Sequence, residues 1–164
     1  MNSVENLVEI LDLQPHPEGG FYKETYRSKG KIKLGGELDI KDERNYSTAI
    51  YFLLVQDSFS AWHRIKQDEA WHFYEGSPVR VHSISPKGEY WYFDLGLDFN
   101  LGQEPQYIVP GGSWFASETL GAYSLVGCTV APGFDFKDFE LANRKELSQL
   151  FPAHQPLIQK FTRE

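Results

Sequence analysis

Trp62-His63-Arg64-Ile65, followed after Lys66-Gln67 by Asp68-Glu69-Ala70-Trp71-His72-Phe73-Tyr74-Glu75-Gly76, is the stretch whose reading decides the fold. It reads as two short β-strands joined by a tight polar turn. Side chains alternate faces along a strand, so His63 and Ile65 share one face while Trp62 and Arg64 share the other. Beyond Lys66-Gln67-Asp68, the residues Glu69, Trp71 and Phe73 lie on one face, with Ala70, His72 and Tyr74 opposite. Both faces carry aromatics, so alternation alone does not say which is interior. A small barrel would aim His63 and Glu69 into its hollow. An imidazole and a carboxylate converging in an aromatic cavity can ligate a metal, act as an acid–base pair or grip a polar ligand.

Working outward, strand signals crowd together at residues 21–27, 47–55, 59–65, 69–75, 79–85, 89–95, 106–109, 114–117 and 123–130. Most are short, rich in aromatic and β-branched residues, and separated by turns such as Gly76-Ser77-Pro78 and Ser85-Pro86-Lys87-Gly88. Short strands in this number, with no long helices between them, indicate an all-β antiparallel barrel or sandwich. Helices are expected only at the ends. Ser3 can cap one over residues 3–13, where Val4, Leu7, Val8 and Leu11 recur on one helical face. His16-Pro17-Glu18-Gly19-Gly20 then stops it. Near the other end, Asn143 with Glu146 resembles a capping box, and Pro156 suits the first turn of a further short helix reaching Phe161. Residues 28–44 form a polar stretch rich in Gly and Lys, read as a loop that could hide a hairpin. No repeat or linker interrupts residues 1–164, which read as one domain.

The bulk numbers narrow the function. A formal charge of −7, without a Lys/Arg-rich run, argues against a nucleic-acid partner. Cys128 is the only cysteine, which rules out a disulfide framework and a Cys-based zinc site and fits a reducing compartment. Its strand context makes it a small packed core residue. No apolar run reaches the ~18 residues that span a bilayer, and the N-terminus lacks a secretory pattern. A cytoplasmic protein with no membrane partner is the expectation.

The spacing His63-x-Ile65-x3-Glu69-x6-Gly76 resembles the first cupin motif, His-x-His-x3–4-Glu-x6-Gly. Pro110-x-Gly112-x2-Phe115 resembles the second, which places a His after Pro-x-Gly-x2. His16-Pro17-Glu18-Gly19-Gly20-Phe21-Tyr22, Tyr51-Phe52-Leu53-Leu54 and Val130-Ala131-Pro132-Gly133-Phe134 are similar to a cupin family of unassigned function, often called cupin-five, across nearly the full length. That resemblance implies a jelly roll (a double-stranded β-helix barrel), a homodimer, and kinship with dTDP-sugar epimerases and with auxin-binding or germin-like cupins. The surplus of aromatics on both strand faces also favours a dimer, since a sheet apolar on both faces wants cover on both.

Two of the four usual cupin ligand positions, Ile65 and Phe115, have no donor atom. A catalytic metal normally keeps at least three protein ligands. No cofactor is therefore expected, and a divalent metal, which only His63 and Glu69 would hold, is disfavoured. The resemblance implies instead a small polar ligand, sugar or nucleotide-sugar-like, and metal-independent isomerase or epimerase chemistry. His63 would be the base and Glu69 its partner. Tyr51, Trp71, Phe73 and Phe115 would form the ligand's apolar walls. The rivals are a non-catalytic binding module and a metal enzyme with a degenerate ligand set. Among other residues, His16 shapes its turn or lines a rim, His82 belongs to an ordinary strand, and His154 is solvated. Glu24 lies on one face of its strand and Lys23 and Arg27 on the other, as solvated edge charges or, if the strand crosses the barrel mouth, as ligand-facing groups. Gly111 and Gly112 form a turn.

Overall fold

Strands this short and this aromatic must bury a face, and they do so by pairing into two antiparallel sheets laid face to face. In the computed structural model, which describes residues 2–36 and 38–163, the chain runs α1 (Val4–Ile10), β1 (Gln14–Pro15), β2 (Phe21–Arg27), β3 (Lys31–Lys33), β4 (Glu43–Asn45), β5 (Thr48–Val55), β6 (Phe59–Arg64), β7 (Glu69–Gly76) and β8 (Val79–Ile84). It continues through β9 (Tyr90–Leu95), β10 (Gln106–Val109), β11 (Trp114–Thr119), β12 (Tyr123–Val130), β13 (Glu140–Leu141), α2 (Arg144–Leu150) and α3 (Gln155–Lys160). One sheet has the order β1-β2-β5-β12-β7-β10, the other β13-β6-β11-β8-β9, and β3 pairs with β4 alone. This is the expected all-β jelly roll with helical ends.

Alternation sends Phe52 and Leu54 of β5, Trp71 of β7, Val81 of β8, Phe115 of β11 and Val126 of β12 into one core between the sheets. The opposite faces are closed by the chain's own ends. On the outside of the five-stranded sheet, Trp62, Ile84 and Trp114 pack under Leu147, Phe151, Ile158 and Phe161. Outside the six-stranded sheet, Leu53 and Leu125 pack under Leu7 and Leu13. Each such side chain, fully buried, contributes about 1.5–3 kcal/mol of transfer free energy.

Four details differ from the sequence-based expectation. The segments holding His63 and Glu69 are not a hairpin, because β6 and β7 lie in different sheets and the turn between them crosses the barrel. α1 ends at Ile10 rather than 13. Asp12 there takes a left-handed φ of 54°, and the amides of Asp12 and Leu13 donate back to Glu9 and Val8, a Schellman-type stop. The 28–44 stretch holds the β3–β4 hairpin. Finally, the β2–β5 register shifts between Glu24 and Tyr26, so Thr25 is a bulged residue. A bulge inverts the alternation beyond it, and Arg27 joins Glu24 on one face, 2.6 Å away, rather than opposing it.

A buried clamp fixes the loop after β12. Arg44, in β4, donates from Nε and Nη2 to both oxygens of Asp138 at 2.7 and 2.8 Å. Gln67 Nε2 adds bonds to Asp138 and to the Gly133 carbonyl. The ion-paired side chains are 5% and 2% exposed. Arg44→Met is expected to cost about 3–5 kcal/mol, because it leaves a buried carboxylate without its counter-ion. The shift in urea midpoint measures this, and a loss under about 1 kcal/mol, the range of exposed pairs, would show the clamp to be solvated.

Candidate functional site

The site begins with a turn. Gly19 and Gly20 adopt φ of 113° and 76°, and a side chain at Gly19 would collide with the Phe59 carbonyl, so only glycine fits. The His16 amide donates to the Gly20 carbonyl at 2.9 Å, closing the hairpin between β1 and β2. The Glu18 carbonyl accepts from the Ala61 amide at 2.8 Å and from Arg163, which ties the turn to β6. The Glu18 carboxylate is thereby set 2.9 Å from His63 Nε2.

His63 is held from both sides. Its Nδ1 lies 2.7 Å from the Ala61 carbonyl, so that nitrogen carries a proton. Its ring rests on Phe115, centroids 4.0 Å apart, with Phe139 stacked at 5.5 Å. Burial alone would lower its pKa, but the Glu18 charge, reinforced by Glu69, raises it. Burial likewise pushes Glu18 upward, and His63 overcomes this to leave it lowered. The pair is therefore imidazolium and carboxylate. The contact is charge to charge rather than an aligned hydrogen bond. Ser60 lies near enough to favour the ionised Glu18, yet Glu18 Oε2 and Ser60 Oγ are both buried without a well-directed hydrogen-bond partner among the described residues.

His16 takes the opposite state. Its Nδ1 accepts from the Glu18 amide at 3.2 Å, and burial lowers its pKa, so it is neutral with its proton on Nε2. Glu69 faces His63 from the other sheet. Burial raises its pKa to about 7, against the pull of His63 and with the push of Glu18. The Cys128 thiol meets the Glu69 carboxyl and is pushed well above its usual value by burial and by that acid.

These groups line a cavity of about 260 Å³. Ile50, Ile65 and Val130 form its apolar sides, and Phe134, Phe136 and Phe139 of the loop after β12 form an aromatic wall. Glu24 and Arg27 also border it. His63 and Glu69 thus meet in one hollow. The four aromatics expected there lie elsewhere. Tyr51 alternates with the inward Ile50 and Phe52, so it points outward against Tyr74 and the α1 cluster. Trp71 and Phe73 share the face of Glu69 but sit deeper, in the inter-sheet core, and Phe115 lies beneath the His63 ring instead of on the cavity surface. Glu18 and the loop phenyls were not singled out by sequence reasoning. A lone acid between proline and two glycines was the available signal for Glu18. Outside the cavity, His82 bonds Tyr90 and Glu118, and His154 Nε2 donates to the Gly88 carbonyl at 2.9 Å, half-buried rather than solvated.

Both His63 ring nitrogens face oxygens, Ile65 and Phe115 offer no donor atom, and no group of three or more His, Cys, Asp or Glu among the described residues is arranged to hold an ion. No helix among the described residues is long and apolar enough to cross a membrane.

Residues 5–142 match the family model described as Cupin superfamily (DUF985), and the chain belongs to that family. An uncharacterised protein of Saccharomyces cerevisiae is 32% identical over 161 residues, covering 91% of this chain and 80% of its own. A hypothetical protein from Leishmania major superposes with a TM-score of 0.91 at 35% identity, over 99% of this chain and 100% of that one. Oxalate decarboxylase from Bacillus subtilis, 13% identical, shares the fold with a TM-score of 0.56, over 92% of this chain and 37% of its own.

The shifts fix how stability responds to pH. Raised His63 stabilises fully below its usual 6.5, with that contribution lost as pH rises through its folded value. Lowered Glu18 stabilises above its usual 4.5, with loss as pH falls through its folded value. Glu69 is raised from 4.5 to about 7, so its ionisation removes stability across that window. Glu69→Gln is expected to match the parent protein near pH 5 and to exceed it near pH 8, on the order of 1–3 kcal/mol. Denaturant titrations at the two pH values test this, and an equal difference at both would contradict a buried, raised Glu69.

Proposed function

We propose that this cupin binds a small organic molecule inside the barrel and offers it a metal-free acid–base group. The observation that carries the reading is the convergence of Glu18, His63 and Glu69, from three separate elements, on one cavity. At about 260 Å³ it lies below the roughly 300–1,000 Å³ of drug-sized pockets. A single ring of monosaccharide size fits within it, and a nucleotide-sugar would leave its nucleotide outside.

Epimerase chemistry would need a second acid on the opposite face of the substrate; isomerase chemistry, a proton shift on one face, needs only one group to remove a proton from carbon and return it. A carboxyl poised near neutrality does both. Glu69 is assigned that role. His63, with both nitrogens engaged, acts as a fixed positive charge beside it rather than as the base. Neither a metal nor an organic cofactor enters this reading. The locked His63 ring also supports a second reading, a binding module without turnover.

A thermal-shift panel of small sugars, amines, keto acids and phosphates is the first test. A ligand at 100 times its Kd stabilises by about 2.7 kcal/mol, roughly 5–10 °C here. Ile50→Trp, which fills the cavity while leaving the carboxyls in place, is expected to abolish the shift. A shift that survives it would place the ligand elsewhere. Deuterium uptake from solvent into the bound ligand, lost in Glu69→Gln, marks catalysis; binding without uptake assigns the module.

A second copy is proposed on the outer face of the six-stranded sheet. Ile108, Ala70, Thr129 and Ala49 form one row across that face, and Ile108 and Tyr74 are each 51% exposed. Sedimentation at micromolar concentration is expected to give a dimer, and a monomer removes this assignment.

A further inference from the structure

We infer that the cavity takes a small primary amine, its ammonium held between Glu18 and Glu69 and its apolar body set against the loop phenyls. This rests on the cavity being a ligand site and adds the chemical class. The argument follows from what the walls offer. The Glu18 side chain is 9% exposed; its Oε2 is turned to His63 Nε2 at 2.9 Å, and its Oε1 accepts no hydrogen bond from the described residues. Glu69 meets the Cys128 thiol and no other hydrogen-bond partner among the described residues. The cations nearby are already engaged. Arg27 donates four bonds, to Glu24 twice, Asn45 and the Phe134 carbonyl. His63 turns one nitrogen to Ala61 and the other to Glu18.

The cavity therefore offers carboxyl acceptors at Glu18 and Glu69, an uncharged donor at His16 Nε2 and no unpaired cation among the described residues. A carboxylate or phosphate ligand would meet two acidic groups and no free cation. A polyhydroxylated ring would press several hydroxyls against Ile50, Val130, Phe134 and Phe139, where they lose water without gaining a partner. An alkyl or aryl amine carries one polar head and an apolar body, which matches a wall of that composition.

Charge balance agrees. Glu18 and His63 cancel, so an incoming ammonium is neutralised only if Glu69 ionises. The titratable groups that share the cavity with Glu69 are His63 from β6, His16 and Glu18 from the β1–β2 turn, Cys128 from β12, and Tyr22, Glu24 and Arg27 from β2. Without a ligand, burial keeps Glu69 half-protonated near neutrality. Uptake of a cation then expels about half a proton near pH 7 and nearly one near pH 6, and affinity rises with pH.

Benzylamine, benzyl alcohol and benzoate are isosteric probes of the three charge states, to be compared by calorimetry on the full chain near pH 6 and near pH 8. Benzylamine is expected to bind about tenfold more tightly at the higher pH, as the ionised fraction of Glu69 rises from about 0.1 to about 0.9. Benzyl alcohol is expected to bind roughly tenfold more weakly with no pH dependence, and benzoate not at all. Glu69→Gln should flatten the benzylamine profile and weaken binding near pH 8 by about tenfold. Alcohol binding as tight as the amine, a preference for benzoate, or a flat profile in the parent protein would each overturn the ammonium assignment. Failure of all three probes would overturn the amine class. The Ile50→Trp comparison decides separately whether the cavity takes ligands.

Discussion

The polar groups that line the cavity are arranged around one buried ion pair, Glu18 with His63. Taking two such charges out of water costs several kcal/mol each, and only close contact repays it. The pair persists because its surroundings over-determine it. Two glycines in left-handed conformation shape the turn that bears Glu18, the Ala61 amide and Arg163 bolt that turn to β6, and Phe115 and Phe139 fix the plane of His63. The state of Glu69 follows first from burial, with the two charges of that pair acting on it in opposite directions. Lying between a fixed cation and a fixed anion in a low-dielectric hollow, it cannot ionise as readily as a solvated carboxyl.

The inner faces of the sheets divide the barrel into two ends. Toward one, Phe52, Trp71, Phe115 and Val126 pack as an ordinary apolar core. Toward the other, packing stops and a cavity remains, because Ile50, Ile65 and Val130 are too short to fill the space between the sheets. Its aromatic wall comes from a loop, and loops need anchoring before they can present a constant surface. Arg44 and Asp138 supply that anchor from beneath Phe136 and Phe139. A buried ion pair of this kind is weak evidence for net stability and better read as fixing one arrangement of the chain.

Much of the fold was legible in the residue pattern. Periodicity of two, interrupted by Gly and Pro turns, located the long strands, and Ser3 and Asn143 marked helix starts that the structure keeps, each side chain accepting an amide in the first turn. The short pieces were not legible. β1 and β13 have two residues each, too few for a period, β3 is exposed along its length, and β4 is all polar with only Arg44 buried, against Asp138. The bulge at Thr25 was invisible for a similar reason: one residue out of register leaves no compositional trace, yet it decides that Arg27 stands beside Glu24.

The residues themselves determined that His63 shares a face with Ile65 and Glu69 one with Trp71 and Phe73, that the usual cupin metal positions at Ile65 and Phe115 are apolar, and that the ends of the chain are helical; which of those faces is interior was decided by the fold. Tertiary structure alone decided that Glu18, 45 positions before His63 in the chain, is its charge partner. It also decided that loop phenyls rather than Tyr51, Trp71 and Phe73 line the cavity. The physical reason is range. Alternation and capping act over a few residues and are written locally, whereas the pairing of two buried charges depends on which turn the folded sheets carry across the barrel mouth.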